Sequence, residues 1–404
     1  MGRDYGRVPT GEPTFACIIC GGIIPPYNAK ALSGRADWIN KRKKDTSLIV
    51  RSTEVEELGF PKDHRAGWLC FWRAIIDDPE TNNLTISGIC NGARIGCYPE
   101  PVPTDPNRAR IYGNVRNKSR WNTFFHMANL FKTDEHREAG RTVGYPVHAH
   151  CWLLVDRMIG TPRVQQNLRA FVDAVKWFWR QNKQEWAIWP SHSAGTAGEG
   201  CFELEQGYPW GIRECACRSV LEAWCGTMPK GSRRRSRRAV DYRTEHQSGS
   251  PLRVPDLQEL MVRVTCVDRA GSSLDEVQRS MRSSPLPSLP TDIALLIVDE
   301  VLRGRPPCKG QLDDTRNLLE ALHWELPRSY WIGRCGPELA FEVEDLCALG
   351  QRVDWAGFYL GLAELKLDPH WFCNSGLNYR RRILKSLGAI REKFTKNLDK
   401  QSHD

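Results

Sequence analysis

No apolar run in this 404-residue sequence approaches the roughly 20 residues that a membrane-spanning helix needs; the longest, such as 294–298, stop far short. The opening MGRDYGRVPT is charged and has no apolar h-region, so no secretory signal is expected. N-myristoylation is excluded too, because Gly6 stands where Ser or Thr is required. No segment recurs with a solenoid or propeller period, and neither a Walker loop nor a dinucleotide fingerprint is present. The nearest approach to a catalytic motif is Ser191-His192-Ser193-Ala194-Gly195. There Ser191 replaces the first glycine of a nucleophile elbow, Pro190 precedes it, and no βαβ succession surrounds it. The expectation is an intracellular protein, cytoplasmic or nuclear, that is not an enzyme and has no membrane partner.

Charge of one sign is also scarce outside two places. The formal net charge is +9, but residues 230–253 carry +6 and residues 378–404 carry +5, which leaves the rest of the chain at −2. The body is therefore not basic, and nucleic acid is not the expected partner. The run Arg233, Arg234, Arg235, Arg237 and Arg238 reads as solvated linker, with nuclear import or phosphate contact as the alternative. In the C-terminal segment, Ile383, Leu384, Leu387, Ile390, Phe394 and Leu398 share one face of an amphipathic helix.

What is plentiful is cysteine, tryptophan and helical patterning. Fifteen cysteines without a secretory signal should be reduced thiols, and an odd count fits a complete disulfide framework poorly, so metal ligation becomes the question. Cys17-Ile18-Ile19-Cys20-Gly21-Gly22 has the form of a zinc knuckle, whose small residues let backbone amides turn toward the thiolates. A second half-site lies in GYPVHAHCW, residues 144–152. A helix starting near Val147 would put His148 and Cys151 on one face of its first turn and turn His150 away. Cys17, Cys20, His148 and Cys151 are the expected zinc ligands, in a treble-clef-like arrangement where a knuckle and a helix start each give two. Four ligands fill a tetrahedral site, so the zinc would be structural. The alternatives are that the cysteines are buried small hydrophobes and His148 a helix-start residue, or that Cys201, Cys215, Cys217 or Cys225 complete a different set. The fifteen tryptophans default to core packing, although a subset could line a protein-binding groove.

Periodicity gives an α+β chain. Short strand-like runs (47–50, 84–90) mark an irregular N-terminal α+β domain over 15–227, which turns helical from His148 onward. Residues 228–288, basic and Ser/Pro-rich, read as a linker, with 256–281 partly ordered. A mainly helical region follows: 289–331, then C-terminal helices over 332–400. Leu289, Ile293, Leu296, Ile297 and Val301 form one apolar stripe behind Pro290 and the first-turn Asp292, and a second helix carries Leu318, Leu319 and Leu322.

Leu289, Pro290, Asp292, Ile293, Ile297, Leu302 and Trp331 are similar to an F-box. Together with CxxCG, GYPVHAHCW, VDWAGFYLGLAEL at 353–365 and LNYRRRILKSL at 377–387, the chain resembles the F-box-like proteins of filamentous fungi. That resemblance implies a non-enzymatic substrate-recognition adaptor: the box docks on the small adaptor protein of a cullin-type ubiquitin ligase, and the rest presents an unknown target protein. The sequence departs from the standard box in its loop, GRPPCKGQ, and in the basic and valine positions of its second helix. A helical hairpin buried against the C-terminal helices is the plain reading of the same residues, and a zinc-containing nuclear protein touching nucleic acid through its basic segments is the alternative function.

Overall fold

The computed structural model describes residues 15–22, 24, 48–57, 68–91, 100–111, 122–131, 140–183, 249–265, 289–303, 308–368, 371–372 and 375–401. In chain order the elements are β1 (Leu48–Arg51), α1 (Ser52–Glu56), β2 (Phe71–Asp78), β3 (Asn83–Ile86), β4 (Ile89–Asn91), β5 (Glu100–Pro103), β6 (Arg108–Ile111), β7 (Asn122–Met127) and β8 (Val143–His148). Helices follow: α2 (Ala149–Ile159), α3 (Thr161–Gln166), α4 (Leu168–Gln181), α5 (Pro255–Thr265), α6 (Thr291–Val301), α7 (Lys309–Ala321), α8 (Arg328–Arg334), α9 (Ala340–Ala348), α10 (Trp355–Lys366) and α11 (Leu377–Gln401). The class is α+β, a sheet domain with a helical C-terminal region, and no described helix is long and apolar enough to cross a membrane.

The chain divides into two compact units, residues 1–253 with 376–404 and residues 254–375. This differs from the expected succession of segments in two ways. The final helix returns to the first unit instead of closing the C-terminal region, and part of the expected linker, 255–265, is the helix α5 of the second unit. The boundary expected at 227, the basic run 233–238 and most of the remaining linker lie outside the described residues.

The first unit is built on an eight-stranded sheet in the order β1-β6-β4-β2-β8-β7-β5, with β3 paired to β2. Most pairs are antiparallel; β4 with β6 and β7 with β8 run parallel. The expectation of an irregular N-terminal domain gives way here to one sheet, and β2 shows why. FWRAIIDD is buried at seven of its eight positions, so its sequence lacks the polar alternation of a half-exposed strand. Its two buried charges are paired: Arg73 with Glu56 at 2.6 Å and Asp77 with Arg169 at 3.6 Å.

β8, in the middle of the sheet, contains Pro146, which lacks the N–H a ladder normally uses. Its partner in register is Ala74. Ala74 directs its own N–H to Ser87 Oγ (2.8 Å) and accepts the Ser87 N–H (2.9 Å), both away from β8. The pair therefore shares no ladder bond, and the proline sacrifices nothing on that side. β7 pairs with β8 only at Val143 and Gly144, so the outer side of Pro146 is open, and its carbonyl accepts the Ile18 N–H at 2.8 Å. The cysteine knuckle docks where β7 has ended.

α4 buries Leu168, Phe171, Val172, Val175 and Phe178, the face its spacing predicted. α11 packs on α4 and α2 through Ile383, Leu387, Ile390 and Phe394. It is anchored by Arg380, which is fully buried and donates to the carbonyls of Pro251 (2.5 Å) and Leu252 (3.1 Å). Arg380→Met should leave these carbonyls buried without their charged donor and destabilise the first unit by about 3 kcal/mol, measured as a shift in urea midpoint. An unchanged midpoint would mean that the anchor is dispensable.

In the second unit α10 is central and packs against α5, α7 and α8, and α6 packs on α7. Pro290 stands one residue before α6 as its N-cap, and its carbonyl accepts the Ile293 and Ala294 N–H groups.

Candidate metal centre

The knuckle is a turn dictated by its glycines. Cys17 N–H donates to the Gly22 carbonyl and Gly21 N–H to the Cys17 carbonyl, both at 2.8 Å, closing a loop in which Gly21 adopts φ +68°. That left-handed conformation is cheap only without a Cβ. Trp179 of α4 pins the loop from the other side, its indole N–H donating to the Ile18 carbonyl at 2.6 Å.

The second half-site is the junction of β8 and α2. His148 is the last residue of the strand and the N-cap of the helix, which begins at Ala149, two residues later than the spacing predicts, and Cys151 lies in its first turn. The side chains still converge. One ligand atom from each of Cys17, Cys20, His148 and Cys151 lies within 4.8 Å of all the others. His148 Nδ1 is 3.3 Å from Cys20 Sγ and 3.9 Å from Cys151 Sγ, so this nitrogen faces the cluster. Two sequence-distant segments, separated by more than a hundred residues, thus form a single four-donor site that could bind a metal ion.

Backbone amides address the sulfurs as the knuckle spacing leads one to expect. Gly22 N–H donates to Cys20 Sγ, and His148 N–H to Cys17 Sγ, each at 3.3 Å. The N-terminus of α2, beside Cys151, adds the favourable end of a helix dipole. Burial tends to raise the Cys17 thiol, but hydrogen bonds from Cys151 and Cys20, with His148 close by, outweigh it and hold Cys17 well below the usual cysteine value. Burial pushes Cys20 and Cys151 well above it. A cation in their midst would favour the deprotonated form of all three. Three thiolates and an imidazole are one of the donor sets that close tetrahedrally around zinc.

The surroundings are aromatic and dry. Trp68, fully buried, meets the His148 ring edge-on (5.0 Å between centroids), stacks parallel to His150 (6.0 Å) and tilts against Tyr379 (5.6 Å). His150 turns away from the cluster, as its position beside Cys151 predicts, and its Nδ1 lies 2.7 Å from Ser250 Oγ. Burial lowers its pKa to about 3, so it is a neutral structural group. Sequence reasoning missed Trp68, Ser250 and Tyr379, since nothing in their local patterns ties them to a site formed elsewhere. Cys201, Cys215, Cys217, Cys225 and the serine motif at 191–195 lie outside the described residues.

The F-box-like positions fall in the second unit, where Leu302 and Trp331 are buried. The stripe read from the sequence is not the buried face of α6. The helix turns Ala294 and Val298 inward, and Ile293 is 41% and Leu296 64% exposed, with Ile297 half-buried and Pro290 and Asp292 exposed. On α7 the fully buried positions are Leu312 and Thr315, while Leu318, Leu319 and Leu322 are half-buried.

Comparison of the chain with protein-family models, with curated proteins and with solved structures gives no match.

Proposed function

We propose that Cys17, Cys20, His148 and Cys151 hold a zinc ion whose role is structural, in a protein that is not an enzyme. The observation that carries this reading is the convergence of four ligand atoms from two distant segments within 4.8 Å. A buried Cys3His set supplies all four bonds of tetrahedral zinc and leaves no open position for a reacting water. Bound zinc would offset the charge of the thiolates and hold the knuckle against the β8–α2 junction. Metal analysis of the purified protein is the direct test.

A second observation favours a role for the other unit. Ile293, Leu296 and Ile297 form an apolar stripe on α6 that the described residues leave exposed or half-exposed, while Ala294, Val298 and Leu302 make the core. These isoleucines are also the positions that resemble an F-box. We propose that this stripe docks on the small adaptor of a cullin-type ubiquitin ligase and that the protein is an F-box-like substrate-recognition adaptor. Capture of the purified ligase adaptor by the intact chain tests this, with polar replacement of Ile293 and Ile297 as the control.

A further inference from the structure

The four ligands leave one neighbouring polar group unexplained. Tyr379, in the first turn of α11, is 4% exposed, and its hydroxyl is buried with no hydrogen-bond partner of ordinary geometry among the described residues. Buried hydroxyls are rarely left so. This one sits at the metal cluster: a Cβ placed on Gly22 would lie 2.7 Å from the Tyr379 hydroxyl, 3.2 Å from Cys20 Sγ and 3.6 Å from His148 Cε1. Glycine at position 22 therefore does two things. It presents its N–H to Cys20, and it leaves free the space that lies between the phenol and the same sulfur. The tyrosine ring is held by Trp68, and the next residue, Arg380, fastens the helix to the carbonyls of Pro251 and Leu252.

We propose that Tyr379 is the outer hydrogen-bond donor to the Cys20 thiolate in the metal-loaded protein. Among the described residues the hydroxyl has no other acceptor; it shares its proton with a sulfur whose charge the metal has fixed. Cys20 then receives one donor from the knuckle backbone and one from the far end of the chain. Because coupling between two equilibria is reciprocal, metal binding favours the docking of α11, and docked α11 tightens the metal. Tyr379 is a positioning residue, and this inference rests on the metal reading of the cluster.

The test uses the full chain and zinc itself. Tyr379→Phe keeps the ring against Trp68 and removes only the donor. Its zinc affinity, measured by competition with a chromophoric chelator, should fall by about 10- to 100-fold, the usual cost of losing an outer partner of a metal ligand. Cobalt(II) loaded in place of zinc should show a shifted thiolate-to-metal charge-transfer band, which a merely structural tyrosine would not produce. Gly22→Ala, which retains the hydroxyl but displaces it, should move both readouts in the same direction. A folded Tyr379→Phe chain with affinity within twofold of the unmutated protein and the same cobalt spectrum would overturn the proposal while leaving the metal site standing. A Tyr379→Phe chain that fails to fold in saturating zinc would also count against it, because the four ligands and the ring remain. An unmutated chain that takes up no metal would remove this inference and the metal reading together.

Discussion

Replacing Cys17 and Cys20 together by serine should abolish the proposed zinc uptake and unfold the first unit, while the helices of the second unit remain. Structural zinc sites contribute about 10–16 kcal/mol of apparent binding free energy at neutral pH. A typical domain is stable by only about 5–15 kcal/mol, so the loss is comparable with the whole margin. Serine matches the size of cysteine but cannot supply a soft thiolate, and the hydroxyls would enter a pocket where the knuckle bonds to Pro146 and Trp179 were made for a closed cluster. Limited proteolysis and hydrogen exchange read the effect unit by unit. Protection should be lost in β2, β8, α2 and α4 and kept in α7 and α10. Acid should act in the same direction: thiol ligands must be deprotonated to bind, so the zinc contribution is present at neutral pH and is lost as falling pH protonates the thiolates. A double mutant with native protection throughout the sheet would show that the cluster contributes packing alone.

Ile293→Asp with Ile297→Asp, in contrast, should leave both units folded and remove capture of the cullin-ligase adaptor. Ile293 is 41% exposed and Ile297 half-buried, so neither is a main support of the helical core. Less than half of each side chain is left to cover, so burying the two isoleucines at an interface contributes about 1 kcal/mol each, and a carboxylate forced into the same contact adds a desolvation cost. Affinity should therefore fall by at least about 10-fold. Val298→Asp serves as the contrast, because Val298 is fully buried and its replacement should unfold the second unit itself. Capture that survives the double substitution at full strength would dispose of the stripe as the docking surface.

The four-donor cluster was legible because its chemistry is local. Each half-site announces itself by two ligands three positions apart, and the glycines after Cys20 match the turn that forms, with Gly21 at φ +68°. The face of α11 was legible for the same reason, since Ile383, Leu387, Ile390 and Phe394 recur at helical spacing and are all buried. Periodicity shows which face of a helix is covered, not which element covers it, so the return of α11 to the first unit could not be read. The sheet was harder still. β2 is buried on both faces and carries paired charges, and β8 carries a proline, so neither resembles a half-exposed strand. On α6 the pattern gave the apolar stripe but not its orientation; the choice between Ile293 and Ala294 as the inward residue is made by packing on α7, which is a tertiary matter.

The zinc content of the intact, purified protein tests the central claim most directly. One zinc per chain, removed by a strong chelator together with the hydrogen-exchange protection of β8 and α2, is the predicted result. A chain free of metal after purification and refolding in zinc, with β8 and α2 fully protected, would contradict it.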